Sequence, residues 1–553
     1  MAEPVKVTFL GGLGEIGRNC AAIELDGKIM LLDCGIMFPD ADMLGVDLVL
    51  PDFSYLIERA DQIIGLIATH GHEDHTGGIS FLLRDVRFPI YGSELTLGLA
   101  RNRIEEAGLV DRTEFIPIRD GERRQIGPFD CEFIPVTHSV PHGFATAFHT
   151  PQGVVLHSGD FKIDLTPVDG RLTDLGRIGA LAYEEGIRLL LADSTNADEA
   201  GYSESETSVG AVLHRVFERQ EGRRIVIACF ASHIHRVQQI ADAAIAEGRT
   251  LATLGRSMKK NVTLARKMGL LDIPERSLVD IEEVADLDPG DVCIISTGSQ
   301  GEPMSALALM AGSENRWIKL GPDDTVVLSS HPIPGNESDV SKVIDGLIRL
   351  GSRVVHSGVD DVHATGHAKR EELKLFHSLA QPEYFVPVHG EYRHMIAHAR
   401  IGETMGTPPE NILVCEDGDQ VLLTDKGLVR GPRIEAGYVY VDGIVGDIGR
   451  SVLRDRRILA DEGVVTVVVA VDILTRTIIA GPEVTSRGWV YEPESEGLLD
   501  DAAREARDAV VKAFGKDKVD LETLQRVVRR AIGRIVSART RRRPMIVPVI
   551  LST

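Results

Sequence analysis

The apolar, β-branched run Ile63-Ile64-Gly65-Leu66-Ile67-Ala68 leads straight into Thr69-His70-Gly71-His72-Glu73-Asp74-His75-Thr76-Gly77. A buried strand therefore ends in four metal-binding side chains, which restricts the fold to one where a sheet opens onto a site. In an extended tail His70 and His72 face the same side. The apolar spacing of Ile79, Leu82 and Leu83 predicts a helix after Thr76-Gly77-Gly78, and the turn between aims Asp74 and His75 at a second position. Imidazole suits zinc and similar cations, a carboxylate among the rings adds charge, and two metals is the natural count.

The chain has 553 residues, enough for two to four domains. Its 43% apolar content suits globular material, and no apolar run reaches the length of a membrane span. The opening Met1-Ala2-Glu3-Pro4-Val5-Lys6 lacks the basic-then-apolar form of a signal peptide, so the expected location is the cytoplasm, with no membrane partner. Cys20, Cys34, Cys131, Cys229, Cys293 and Cys415 form no C-x-x-C pair and read as core residues. A net charge of -23 argues against a general nucleic-acid coat, and leaves room for metals plus a focused patch to meet a phosphate substrate. The strongest basic stretch, Arg526 to Arg543, suits a solvated helix face or an oligomer contact as well as RNA.

Two motifs are decoys. Gly12-Leu13-Gly14-Glu15-Ile16-Gly17 spells G-x-G-x-x-G, but a dinucleotide fold needs a helix directly after the glycines. Here two strands, Cys20 to Leu25 and Lys28 to Leu32, follow instead, joined by the hairpin dipeptide Asp26-Gly27. Ser257-x-x-Lys260 has the spacing of serine β-lactamases without their companion motifs.

From Ile63 to Asp193, strand-like runs alternate with loops carrying His or Asp at their ends, the pattern of an α/β sandwich holding a site. From about Gly201 to Val359 strand and helix units alternate (Arg224 to Cys229, Val292 to Ser296 and Val326 to Ser330, each with a following helix), which predicts a second, parallel-sheet domain. At Pro387-Val388-His389-Gly390 a strand again ends in histidine, so the first domain resumes and the middle one is an insertion. Beyond about Gly443, the strands Val464 to Val471 and Thr477 to Ala480, two amphipathic helices and a final strand Met545 to Leu551 make a small α/β unit.

With these motifs the chain resembles the metallo-β-lactamase superfamily and, within it, the β-CASP nucleases of the bacterial ribonuclease J family, over essentially its whole length. The resemblance implies an αββα sandwich in residues 1–198 and 360–443, an inserted β-CASP domain in 199–359, a linker in 444–463 and an oligomerisation domain in 464–553. Asp33 in Leu-Asp-Cys-Gly matches the orienting acid of the first motif, and His70, His72, Asp74 and His75 the second. His138 in Thr-His-Ser-Val-Pro matches the third motif, in preference to His142, and Asp160 in Ser-Gly-Asp-Phe the fourth. Asp193, His367 and His389 match β-CASP motifs A, B and C. By the same resemblance one metal is held by His70, His72 and His138, a second by Asp74, His75 and His389, and Asp160 bridges. The metals expected are zinc, with manganese or magnesium as alternatives. His149, His157, His233, His331 and His394 read as core, loop or substrate-contact residues.

His367 is the expected general acid for the leaving 3′ oxygen, with Asp193 to orient it. His363, Ala364, Thr365, Gly366 and His367 match the family's phosphate cradle, with Thr where Ser is more usual. Ser232, His233 and Ile234, at a strand-to-helix junction that favours anions, are expected substrate contacts, with helix capping by Ser232 an equal reading. Ser329, Ser330, His331 and Asn336 are weaker candidates, and Asp47 and Asp442 mark a structural calcium. The implied activity is hydrolysis of single-stranded RNA, 5′ to 3′ from 5′-monophosphate ends and also internally, in mRNA decay and rRNA maturation. A homodimer or homotetramer, with an RNA helicase or other decay proteins as partners, is expected. The competing readings are a DNA nuclease of the same superfamily and a non-catalytic scaffold subunit.

Overall fold

The computed structural model describes residues 3–552 except 41, 221, 334, 444–445, 490–491 and 516–518. The Asp26-Gly27 dipeptide turns the chain between Cys20–Leu25 and Lys28–Leu32 with φ of 49° and 69°, the left-handed pair a two-residue hairpin turn demands. That hairpin sits in an eight-stranded sheet ordered Gly427–Arg430, Gln420–Thr424, Val5–Gly11, Cys20–Leu25, Lys28–Leu32, Ile63–Ile67, Ile90–Gly92, Phe115–Pro117. A six-stranded sheet faces it, ordered Tyr384–Val388, Ile187–Asp193, Gly153–His157, Gly143–Thr150, Phe129–Val136, Arg123–Ile126. Val7, Phe9, Ile23 and Met30 of the first sheet share one apolar core with Phe133, Phe144, Phe148 and Leu189 of the second. Each such buried side chain contributes about 1.5–3 kcal/mol. Helices Leu175–Glu184, Arg370–Ala380 and Tyr392–Thr404 supply side chains to the core on the outer face of the six-stranded sheet.

Both sheets are completed by late segments of chain. Tyr384–Val388 pairs in parallel with Ile187–Asp193, and Gln420–Thr424 pairs antiparallel with Val5–Gly11. The chain between Ile187–Asp193 and Tyr384–Val388 forms a third sheet of six strands, Leu278–Val279, Thr250–Leu254, Val292–Ser296, Arg224–Ala228, Asp324–Leu328, Arg353–Val355, with all pairs parallel. Such a sheet needs cover on both faces. Two separate apolar cores provide it, one around Val237, Ile240 and Val262 and the other around Leu307, Met310 and Leu347. The molecule is thus a mixed α/β protein in which a two-sheet sandwich is interrupted in sequence by a parallel-sheet insertion.

Residues 39–48 and 439–553 form a separate compact unit. In its strand Val464–Asp472, Val465, Val467, Val469 and Val471 are buried on the face covered by Glu492–Phe514 and Leu521–Thr540. Its edge strand Thr477–Arg487 runs past Ala480, where the sequence pattern ended it. Pro482 is tolerated because the strand has a neighbour on one side only and the register shifts opposite it, between Val468 and Ala470. The stretch read as a linker carries the helix Gly449–Glu462, whose polar sequence buries only Leu453. All six cysteines are free and buried, as expected. Among the described residues no helix is long and apolar enough to cross a membrane.

Candidate active site

The ligand residues converge at the carboxyl ends of the sandwich strands. Ile63–Ile67 delivers His70, and its tail makes His72 the N-cap of the short helix Glu73–Thr76, which carries Asp74 and His75. Phe129–Val136 delivers His138, Gly153–His157 delivers Asp160, Ile187–Asp193 ends on Asp193, and His389 follows Tyr384–Val388. Asp33 and His389 adopt φ of 57° and 53° just past their strands. Non-glycine residues pay for that left-handed geometry, typically about 1–2 kcal/mol each, and here it swings both side chains off the strand line into the site.

Three groups of donors result, one of them joining Asp160 and His389 to Asp193 and His367, and the other two carrying the expected ligands. Of those two, His70, His72, His138 and Asp160 form one, Asp74, His75, Asp160 and His389 the other, with ligand atoms within 4.8 Å of one another in each. Asp160 Oδ2 lies 3.6 Å from His70 Nε2, 3.1 Å from His75 Nε2 and 3.5 Å from His389 Nε2, so one oxygen serves both groups. In the first group His72 Nδ1 is 3.0 Å from His70 Nε2 and 3.1 Å from His138 Nε2.

The far nitrogens decide which way the protons sit. His138 Nδ1–H donates to the Gly366 carbonyl at 2.7 Å. The Thr69 hydroxyl donates to Asp33 Oδ2 at 2.8 Å, so its oxygen accepts from His70 Nδ1–H at 3.1 Å, while His75 Nδ1–H donates to the same carboxylate at 2.7 Å. The Thr195 hydroxyl likewise donates to Asp193 Oδ1 at 2.8 Å and accepts from His389 Nδ1–H at 2.6 Å. Ser139 Oγ backs His72 Nε2 at 3.4 Å. With the far nitrogens protonated, His70 Nε2, His72 Nδ1 and His138 Nε2 present three bare lone pairs to one another, an arrangement that a cation satisfies.

The electrostatics agree. Burial and the neighbouring rings hold His70 and His138 well below the usual imidazole range, and burial takes His72 down to about 4, so all three are neutral as ligands must be. In the second group burial also works against charge, but carboxylates prevail. Asp160, Asp74 and Asp33 push His75 up, and Asp160, Asp74 and Asp193 push His389 up to about 9. This half of the site attracts positive charge. The residues present therefore fit two divalent cations.

His367 stands beside the two groups, its ring centroid 4.9 Å from that of His138 and 5.4 Å from that of His389. Its Nδ1–H donates to Asp193 Oδ2 at 2.8 Å, which leaves Nε2 as the nitrogen not committed to Asp193. Burial favours neutral His367, but Asp193 outweighs it and raises its pKa. Asp193 is 2% exposed, its other oxygen fixed by the Thr195 backbone N–H and hydroxyl.

In the cradle segment, Thr365 Oγ1 accepts from Asn196 Nδ2 at 2.9 Å and from the His367 N–H at 3.2 Å, and Ala364 is buried in the core of the inserted sheet. Gly366 has to be glycine, since a Cβ there would come 2.8 Å from His138 Cε1 and 2.9 Å from Ser139 Oγ. His363 is partly buried, and its ring stacks on that of His331 at 6.5 Å.

Other expectations change. The helix Ile234–Ala246 is capped by His233, not Ser232, and without a side-chain cap bond. Ile234 packs into the apolar core and its N–H goes to the Ser232 carbonyl, so its side chain offers a substrate nothing. His233 is buried with Nε2 3.3 Å from Glu206 Oε1. Ser329 and Ser330 are spent internally, on Arg236 and Val362 and on Ser299 and Gln300 respectively. Asn336 makes its side-chain bond to Gln300, and His331 is exposed. At the expected calcium position Asp442 pairs with Arg456 at 2.9 Å and Asp47 accepts the Gly443 N–H at 2.6 Å. Among the described residues no group of three candidate ligands includes either Asp.

The rival His142 has Arg171, Asp169 and Asp120 as charged neighbours and belongs to none of these groups. His149 bridges Glu132 and Glu185, His157 accepts the Gly159 N–H, and His394 bonds the Glu391 N–H. The G-x-G-x-x-G segment forms a loop with the two-residue strand Leu13–Gly14 and no helix, and Lys260, on the helix Arg256–Lys267, is paired with Glu106 of the helix Glu94–Glu106. Thr69, Thr195, Asn196 and Asn19 were not singled out from the sequence. A hydroxyl one residue before His70 and two after Asp193 was the available signal.

Comparison with known proteins follows the same division of the chain. Residues 13–192 match the metallo-beta-lactamase superfamily, 222–347 the "Ribonuclease J, beta-CASP domain", 353–414 the "Zn-dependent metallo-hydrolase RNA specificity domain" and 451–553 the "Ribonuclease J C-terminal domain". The chain is 41% identical to Ribonuclease J 1 of Streptococcus pyogenes serotype M3 over 549 residues, 99% of this chain and 98% of that one. The chain belongs to the ribonuclease J family. Ribonuclease J2 of Bacillus subtilis (strain 168) is 38% identical over 99% of both chains, and Ribonuclease J of Mycobacterium tuberculosis (strain H37Rv) 41% over 99% of this chain and 97% of its own. A solved structure of a protein of unknown function from Enterococcus faecalis V583 shares the fold, with a TM-score of 0.53 at 16% identity over 76% of this chain and 100% of that one. As a family member the chain has a metallo-hydrolase centre, and its His and Asp cluster suits a metal site.

Proposed function

We propose that this ribonuclease J family member is a two-metal RNA hydrolase that works 5′ to 3′ from 5′-monophosphorylated ends and also cuts internally, in mRNA decay and rRNA maturation. The observation that carries the reading is the pair of donor groups sharing Asp160, with the His367–Asp193 pair alongside. His70, His72 and His138 would hold one cation, Asp74, His75 and His389 the other, and Asp160 both; zinc suits the imidazole-rich set, with manganese or magnesium in its place when abundant. When bound, such a pair activates water near neutral pH and offsets charge on the phosphoryl oxygens.

The chain's own residues do the rest. Asp33, through Thr69, and Asp193, through Thr195, fix the ring orientations that point lone pairs inward. His367 gives the proton on Nε2 to the leaving 3′ oxygen, and Asp193 stabilises the imidazolium before transfer. Asn196 and Thr365 hold the cradle beside it, where His363 and Thr365 receive the phosphate of the RNA end. The C-terminal unit is the proposed assembly surface for a dimer or tetramer in the cytoplasm, with a helicase as partner.

The test is a timed digest of single-stranded RNA bearing a 5′ monophosphate or a 5′ triphosphate, beside 5′-phosphorylated DNA, with zinc, manganese or magnesium. Mononucleotides released first from the monophosphorylated RNA support the reading. Faster cleavage of DNA would replace RNA as the substrate, and no cleavage of any strand by the metal-loaded protein would mark a scaffold.

A further inference from the structure

The glycine loop that looked like a dinucleotide fingerprint is left without a role by the reading above, yet it touches the site. Asn19 is 9% exposed. Its backbone N–H donates to the Asp74 carbonyl at 3.0 Å, and its Nδ2 reaches the same carbonyl at 3.1 Å and Asp74 Oδ2 at 3.4 Å. Nδ2 also lies 3.1 Å from His75 Nε2, the nitrogen this ring turns towards Asp160 while its Nδ1–H goes to Asp33. At the other end of the loop, Leu13 and Gly14 pair in parallel with Gly390 and Glu391, the residues immediately after His389. The ring nitrogens of His70, His72 and His138 take their backing from Thr69, Ser139 and Gly366 instead.

We infer that the loop Gly11 to Asn19 is a positioning device for one half of the centre, Asp74, His75 and His389, and that Asn19 is its working side chain. The inference rests on the two-metal reading. The loop's sequence is explained by the same task. A Cβ on Gly11 would lie 2.2 Å from the Arg18 carbonyl oxygen, and one on Gly12, at φ of 93°, would lie 2.3 Å from Asn19 Oδ1. The glycines let the loop fold back tightly enough to present Asn19. Arg18 locks that fold: fully buried, it pairs with Glu15 at 2.6 Å and Asp417 at 2.8 Å and stacks 4.2 Å from the centre of the Tyr438 ring. The Asn19 carbonyl in turn accepts the Gly35 N–H at 2.9 Å, which ties the loop to the segment following Asp33. Asn19 thus restrains Asp74 through both its main-chain carbonyl and its carboxylate, as outer partners of metal ligands do, and its amide packs against the ligating edge of His75.

The experiment is metal binding to the full chain stripped with a chelator, read by elemental analysis after dialysis and by calorimetric titration with zinc and with manganese. Asn19→Ala removes the amide, Asn19→Leu keeps its bulk without a donor, and His72→Ala disturbs the opposite half as a control. Both Asn19 variants should keep one metal equivalent at wild-type affinity and bind the other on the order of 10–100-fold more weakly. Melting of the metal-free protein identifies any variant that fails to fold, and the second variant then carries the test. Two equivalents at wild-type affinity in a folded variant, or equal weakening of both, would overturn the inference. A wild-type chain that takes up a single equivalent removes the two-metal reading itself, and the inference with it.

Discussion

Replacing His367 with alanine separates the proposed proton donor from the candidate metal ligands. The bonds that orient the neighbouring ligands do not use its side chain: His138 leans on the Gly366 carbonyl and His389 on the Thr195 hydroxyl. His367→Ala is therefore expected to keep both metals. What disappears is an imidazole whose Nδ1–H is fixed by a buried carboxylate 2.8 Å away and whose Nε2 is not committed to that carboxylate. A positioned general acid contributes on the order of 10²–10⁴ in rate, about 3–5 kcal/mol of barrier, and that is the expected loss in kcat. The assay is single-turnover hydrolysis of 5′-monophosphorylated RNA, compared with the same RNA carrying sulfur in place of the bridging 3′ oxygen at the first linkage. A thiolate leaves without a proton, so the deficit of His367→Ala should shrink to about tenfold or less on the sulfur substrate. An undiminished deficit there, or wild-type rates on the oxygen substrate, would refute the role given to His367.

Other expectations follow from the same geometry. Gly366→Ala should displace His138 and weaken one metal equivalent on the order of 10–100-fold, visible in a zinc titration. Glu206→Ala leaves the fully buried Arg236 guanidinium without its carboxylate, at a cost of about 3–5 kcal/mol, whereas Glu206→Leu with Arg236→Met together should cost less; denaturant unfolding measures both. Burial holds His377 down to about 4, so the folded state resists a proton that the unfolded chain binds below its ordinary value near 6.5. Its contribution is fully present above pH 6.5 and is lost as pH falls towards 4, by about 3 kcal/mol, and a His377→Leu variant should show a flatter fall in melting temperature across that window.

The ligand set was legible because its densest part is local: His70, His72, Asp74 and His75 sit in six residues behind a strand whose apolar run announces burial. The insertion was legible too, since alternating strand and helix patterns define a parallel sheet without knowledge of its neighbours. The supporting atoms were not. Thr195 serves His389 across 194 residues, and the group that orients His138 is a main-chain carbonyl 228 residues away, which no side-chain pattern encodes. Side-chain direction was also hidden at Ser232-His233-Ile234, where the strand-to-helix junction is real but Ile234 turns into the core. Near Asp47 and Asp442 the sequence pattern shows two carboxylates and misses Arg456, which pairs with Asp442 from a helix too polar to stand out as one.

The claim on which the account depends is that Asp160 joins two cations held by separate sets of ligands. Anomalous diffraction from crystals grown with zinc or manganese tests it most directly. Two peaks roughly 3.5–4 Å apart are expected, one against His70, His72 and His138 and the other against Asp74, His75 and His389, with Asp160 between them. A single peak, or none among these residues in a metal-saturated and active crystal, would contradict it.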